Sequence, residues 1–437
     1  MAADPQQLSQ AIHDLIHDAL TTAPPGGQPV MDPASTVLSL SIPGLPLDPT
    51  EFANPWTPLN PGGNPVTAEN FAALVDAIPE VSTVYTPTGQ SIETLYGQLV
   101  QANTPTTPPL PMRAPRGRFL QTLVETPASL HALDLRMAHE EAVTRYMSRL
   151  LQVDMNDPAE KQRWEASAAD LKAQLQVTAQ ALKAEGAVSA VGSGQAEGQN
   201  ASVAALFSTA RLNFELSTLG SMWGPGFTWH MTLAQPQNWF TPEASFFEVD
   251  LRTSRTLPLR GPGRGLPFAA RTPLNSGLWG YQAQGRRLRR PVARESLDIR
   301  VQFKFARVAI RRPWLDASLF SLGGWAMAGR PRLALSTGSL TGNTGIFPLL
   351  PTALIVAREL RVSAAWSQAD VTFIRERLQQ KDLTFGPFAL SGQYQRPRAR
   401  APTLARATFD GVTISAPDLQ AIGQMSQLIP ACPPLDG

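Results

Sequence analysis

At 437 residues the chain is long enough for two or three domains of about 150 residues each, and 43% hydrophobic with 16% charged residues is a globular rather than a disordered composition. No apolar run reaches the roughly 18 to 20 residues a membrane-crossing helix needs, and the opening MAADPQQLSQAIHDLIHDAL lacks the basic start and apolar centre of a secretory leader. The net charge of +2 conceals a segregation: residues 1–112 hold ten acids and no lysine or arginine, residues 113–225 hold 11 basic and 12 acidic groups, and residues 226–437 hold 26 and 13.

These properties predict a cytoplasmic protein, or one released without a classical signal peptide. The single cysteine, Cys432, excludes an internal disulfide and thiolate metal clusters. Only five of the 37 basic residues are lysine, a bias that argues against giving weight to any one arginine. The ends of the chain are electrostatic complements, which bears on association rather than on fold.

Residues 5–21 predict a short amphipathic helix, with Leu8, Ile12, Leu15, Ile16, Ala19 and Leu20 on one side. His13 and His17 are spaced i, i+4, but without a third ligand they read as surface residues rather than a metal site. After a proline- and glycine-rich stretch come a strand at Thr36–Ile42 and a helix at Ala68–Ile78 capped by Thr67. Residues 102–117 are proline-rich and mark a boundary, so residues 1–112 form an acidic N-terminal region.

The middle third, 113–220, reads as helical. Thr126 and Pro127 open one helix, with Leu133, Met137, Met147 and Leu151 in a stripe. Asp157, Pro158 and Glu160 open a second, carrying Trp164, Ala168, Leu171, Leu175, Thr178 and Leu182. The short connection between them predicts a long antiparallel hairpin over 127–185. Its apolar stripes need a partner: the sheet, a second subunit or a membrane. Residues 186–200 form a small-residue linker, and Ser202–Leu219 a further helix.

Residues 221–437 read as a basic, β-rich domain. The strongest strand signal is Ser296–Ile310, where Leu297, Ile299, Val301, Phe303 and Phe305 alternate with polar residues. The apolar phase then moves to Val308 and Ile310, which predicts a bulge near Ala306 or Arg307. Other predicted strands are Thr228–Leu233, Phe246–Leu251, Ala353–Ala364, Leu383–Leu390 and Ala407–Ser415, with LQAIGQMSQLIP as a last strand or short helix. The fold class expected is α+β: an acidic N-terminal region, a long helical hairpin and a sandwich-like, mostly antiparallel C-terminal half.

No catalytic or cofactor motif is present: no nucleophile elbow, H-E-x-x-H, phosphate loop, calcium loop or cysteine pair. His131, His139 and His230 read as structural. The clearest polar feature is Arg286, Arg287, Arg289, Arg290 and Arg294, continued by Arg311 and Arg312 and echoed by Arg396, Arg398 and Arg400. Planar guanidinium groups suit oxyanions, so the first five are the candidate anion-binding residues; a solvated loop answering the acidic first third is the competing reading. No nucleic-acid module accompanies them. The loop WLDASLFSLGGWAM places Trp314, Leu315, Leu319, Phe320 and Trp325 as a candidate apolar contact surface or, equally, a packed plug.

Three segments, PQNWF at 236–240, RRPWLD at 311–316 and FPLLPTALIVAREL at 347–360, resemble an uncharacterised family of bacterial and fungal proteins, a resemblance that implies no activity, cofactor or ligand. The expected function is a non-enzymatic assembly or binding protein, a homo-oligomer or a subunit of a complex, with an anionic surface or polyanion as partner. The alternatives are a membrane-active, toxin-like protein using the hairpin, and a hydrolase whose carboxylates meet only in three dimensions.

Overall fold

The computed structural model describes residues 7–21, 35–101, 103–105, 203–255, 277–399 and 401–433 apart from Pro58, Leu59, Trp223, Pro225, Gln284 and Gly285, together with Asp4 and scattered positions between 138 and 181. The elements used below are α1 (Leu8–Thr21), β1 (Thr36–Pro46), α2 (Pro65–Leu74), α3 (Ile92–Gln101), α4 (Val203–Leu216), β2 (Leu233–Gln235), β3 (Phe247–Arg252), β4 (Trp279–Ala283), β5 (Arg286–Arg290), β6 (Leu297–Arg311), β7 (Leu349–Ala365), α5 (Gln368–Gln380), β8 (Thr384–Phe385), β9 (Phe388–Ala389), β10 (Thr413–Ala416) and β11 (Gln420–Leu428).

The main sheet is antiparallel, in the order β1–β11–β7–β6, with β2 and β3 side by side along the far edge of β6 and β10 beside the second half of β7. A second sheet runs β5–β4–β8–β9. Among the described residues the structure is mixed, 28% helical and 37% strand, and the helices are short. The expected architecture with a long helical hairpin is therefore corrected: the longest described helices have 14 residues, and most of 127–185 lies outside the described residues. Three positions of that stretch, Ala142, Trp164 and Ala168, are buried in the main core. Among the described residues no helix is long and apolar enough to cross a membrane.

The central strands β6 and β7 are buried on both faces for half their length, and this accounts for the phase change in the sequence. Ile299, Val301, Phe303 and Phe305 face a core containing α1, Trp279, Phe385 and Phe388. Ala306, Val308 and Ile310 face a different core, containing Phe71, Leu74 and Val75 from α2 and its flank with Phe52 and Trp239. Residues 305–309 of β6 pair with 357–353 of β7 without interruption, so the bulge expected near Ala306 is absent. The pairing has two irregularities elsewhere: between Leu297 and Arg300, where β6 carries an extra residue, and opposite Phe303, between Gln302 and Lys304, where β7 inserts an extra residue and Glu359 takes a φ of 55°. This slip keeps Ala353, Ile355 and Ala357 in the same core as Leu360, Val362 and Ala364.

The acidic N-terminal region belongs to the same body. β1 pairs with β11 along the sheet, and α1 is enclosed on all sides, with His13, Asp14 and His17 buried as well as its leucines. The surface placement of the two histidines is thus corrected. His13 bridges Asp14 Oδ1 and the carbonyl of Leu38, each at 3.1 Å, and His17 Nδ1 lies 3.1 Å from the Thr21 hydroxyl.

A third cluster sits under α3 and α4. The loop proposed as an apolar contact surface is its filling: Trp314, Leu315, Leu319, Phe320 and Trp325 are all buried. Trp314 packs on Tyr96 and Trp325 on Phe207, while the Tyr96 hydroxyl accepts from the Asp316 N–H at 2.8 Å. Five large apolar side chains on one short loop gain more from two covering helices than from solvent.

Candidate anion-binding edge strand

The five candidate arginines occupy one hairpin strand and the turn after it. β5 is the outer strand of the second sheet and, among the described residues, pairs only with β4, from Arg286↔Ala283 to Arg290↔Trp279. Four arginines on an edge strand oppose sheet-to-sheet stacking by their charge, and so serve a structural purpose whatever else they do.

What holds this hairpin is α5. Ser367 caps the helix by accepting from the Asp370 N–H, and the Asp370 carboxylate, fully buried, accepts from the Ala293 N–H at 2.9 Å and the Ser296 hydroxyl at 2.7 Å. Arg290 reaches the same carboxylate at 3.5 Å and lies 4.5 Å over the Phe373 ring. At the other end of the helix, Arg377 stacks 4.4 Å over Tyr281 and pairs with Asp382, which also accepts from the Gln282 N–H at 2.9 Å. Both ends of α5 are therefore tied to β4 and β5, and the strand is a rigid platform.

The arginines differ in what surrounds them. Arg290 is committed to Asp370. Arg286, Arg287 and Arg294 are exposed, and among the described residues no acidic side chain pairs with them. Arg289 is half-buried; burial, and then the charge of Arg287, hold its guanidinium below the ordinary arginine range. The Tyr394 phenol is pushed up to about 12, mainly by burial, with Arg287 acting in the opposite sense.

The other arginines of the sequence cluster are structural. Arg312 is half-buried, donates to the carbonyls of Pro351 and Val75 at 2.7 Å each, and is pulled down to about 10, chiefly by burial. Arg396 sits in a two-pronged pair with Glu51, and Arg398 lies 3.9 Å from Glu69. Three acids of the first third, Glu51, Glu69 and Asp76, thus face arginines 396, 398 and 312 of the same chain.

A second polar group forms around His230, which the sequence placed only as structural. The His230 Nε2 is 3.0 Å from the exposed Thr218 hydroxyl, and its Nδ1 is 2.9 Å from Glu93 Oε1. The ring stacks on Phe214 at 3.8 Å. Neighbouring Asp76 is raised above the ordinary carboxylate range, by burial first, although its carboxylate accepts from the Glu93 N–H. His131 and His139 lie outside the described residues. Among those described, no three His, Cys, Asp or Glu side chains converge as metal ligands, and burial drives the Cys432 thiol well above its usual range.

Asp370 was not legible as part of the site, because about 80 residues of chain separate it from β5 and only the packing of α5 brings it back. The S-x-x-D signature at 367–370 identifies a helix start, but not what its aspartate will hold.

Fold and site together define a mixed, largely antiparallel scaffold with a braced, arginine-bearing edge strand. Compared with protein-family models, curated proteins and solved structures, the chain finds no match. The segments behind the family resemblance are framework: Arg312 of RRPWLD donates to two backbone carbonyls, and FPLLPTALIVAREL contains most of β7.

Proposed function

We propose that the protein is a non-enzymatic binding protein, acting within an assembly, that engages a polyanionic partner through β5. The observation that supports this reading is the contrast among arginines: those of the core have acid or carbonyl partners, whereas Arg286, Arg287 and Arg294 are exposed without acidic partners among the described residues on a strand braced from behind. A rigid cationic strand holds its charges in place for a ligand at little entropic cost. The test is retention on immobilised heparin across a salt series, comparing the full chain with an Arg286→Gln, Arg287→Gln, Arg294→Gln variant. The variant is expected to elute at clearly lower salt, since each lost contact removes one counterion-release step. Equal elution of two folded proteins would refute the reading.

A second reading, ester hydrolysis, draws support from the hydroxyl–imidazole–carboxylate line of Thr218, His230 and Glu93. It ranks below binding because the Thr218 hydroxyl also lies 3.2 Å from the Phe214 carbonyl, a bond that diverts its proton from the imidazole. Turnover of an activated ester that His230→Gln abolishes would raise it, and identical background rates would remove it.

A further inference from the structure

Among the described residues eight large apolar side chains are exposed, and four of them, Leu212, Leu216, Met222 and Phe227, fall at the end of α4 and in the hairpin that follows it. Met222 and Phe227 stand at the hairpin's tip, 57% and 68% exposed, beyond the paired strands Thr218–Gly220 and Thr228–His230. On α4 the exposed Glu215 lies among the leucines, so that helix face is mixed in character. The tip, residues 221–227, contains no charged residue.

The hairpin is held firmly against α2. In its stem Trp229 is buried in a cluster with Ala68 and Ala72. At its tip the carboxylate of Glu69, fully buried, accepts from the Ser221 hydroxyl at 2.5 Å and from the Met222 N–H at 3.1 Å. The Ser221 N–H donates to the Phe227 carbonyl at 2.9 Å. Arg398 approaches the same carboxylate to 3.9 Å, with its side chain 45% exposed. One buried acid thus brings together two apolar side chains and a guanidinium that face solvent.

Two large apolar groups fixed in water forgo the gain of burial, and a braced tip loses little entropy when something covers it. A lipid surface satisfies both kinds of group at once, since the apolar side chains enter the acyl boundary while the adjacent cation meets anionic headgroups. A second copy of the chain fits less well, because a two-fold contact through the tip sets Arg398 beside its own copy.

We propose that Met222 and Phe227, with Arg398 at their flank, form a docking point for an anionic lipid surface. This site is separate from β5, being braced by α2 rather than by α5.

The experiment uses the full chain carrying Arg286→Gln, Arg287→Gln and Arg294→Gln, which removes the exposed charge around β5, and co-sedimentation with vesicles of phosphatidylcholine alone or mixed equally with phosphatidylserine. The expected result is binding to the mixed vesicles, weakened about tenfold by Phe227→Ser and by Met222→Ser and about fivefold by Arg398→Gln. Both serine variants replace exposed side chains, so their unfolding temperatures are expected to match that of the parent. A second measurement reads the tip directly. Cys432 is buried, so a polarity-sensitive fluorophore couples selectively to Met222→Cys. Its emission is expected to shift to the blue on the mixed vesicles, while the same label on Val412→Cys, an exposed apolar position in another segment, keeps its emission in water. Undiminished binding by Phe227→Ser, or no shift from the label at position 222, overturns the proposal. Equal binding to phosphatidylcholine alone removes the charge recognition and overturns it as stated. Self-association of the vesicle-free chain that Phe227→Ser abolishes assigns the tip to a second copy instead, and no binding to either vesicle leaves the tip to a protein partner; each of these also overturns it.

Discussion

Arg396 is buried, with its Nε and one terminal nitrogen each 2.9 Å from the two oxygens of Glu51 and its guanidinium 5.5 Å from the Phe52 ring centre. Removing the acid leaves a cation with no route to water, so Glu51→Ala is expected to destabilise the fold by about 3–5 kcal/mol. Urea unfolding measures this, and a loss below about 1 kcal/mol would mean that solvent reaches the site. Asp76 makes a prediction of opposite character. Its folded carboxyl lies above the unfolded value of 3.8, chiefly through burial, so the native state holds the proton more tightly. The corresponding stability is fully present below the unfolded value and is lost as pH rises through the folded one. Asp76→Asn keeps an oxygen for the Glu93 N–H and has no proton to lose. The stability of the wild type relative to this variant is therefore expected to fall as pH rises above the unfolded value of 3.8, and a difference that stays constant as pH rises would contradict the assignment.

At the scale of elements, the phase of the apolar residues in β6 was legible and its meaning was not. A change from odd to even positions has two physical causes: a bulge, or a change in which face is covered. Here the second applies, because α2 and Trp239 cover the face that would otherwise meet solvent. The bulge belongs to β7, and its trace is in that sequence too, in the step from Ala353, Ile355 and Ala357 to Leu360, Val362 and Ala364. Glu359 stands at the step with a φ of 55°, where a side chain costs energy and glycine does not. Its ion pair with Lys304 joins two side chains at least a third exposed and contributes less than about 1 kcal/mol. Glu359→Gly is thus expected to leave stability unchanged or raise it by up to about 1 kcal/mol, whereas Glu359→Val should lower it. Thermal unfolding of the two variants decides the matter, and the reverse order would show the local backbone to be relaxed.

For the molecule as a whole, α1 is the element on which most depends. It lies inside the main core, and β1 completes one edge of the main sheet. Of the acids of residues 1–112, Glu51, Glu69 and Asp76 meet arginines of the same chain. Deleting residues 1–46 is accordingly expected to abolish cooperative unfolding rather than to release an intact C-terminal body. A truncated chain with native near-ultraviolet dichroism and a sharp transition would show that the sheet stands without α1.

The sequence by itself determined what depends on neighbours along the chain. Alternation specified β3, β6 and β7, the pattern over 5–21 specified α1, and the density of arginine marked β5, whereas the segment of β11 was left open between strand and short helix. These features arise from side-chain period and local backbone preference, which act over a few residues. Only the tertiary structure decided what depends on residues far apart. It enclosed a helix that an amphipathic pattern assigns to a surface, because sheet and helices arrive from several directions. It turned an apolar loop into the filling beneath α3 and α4. It also divided one run of arginines into a residue tied to Asp370 and others left exposed, since strand register and the packing of α5 set the environment of each charge.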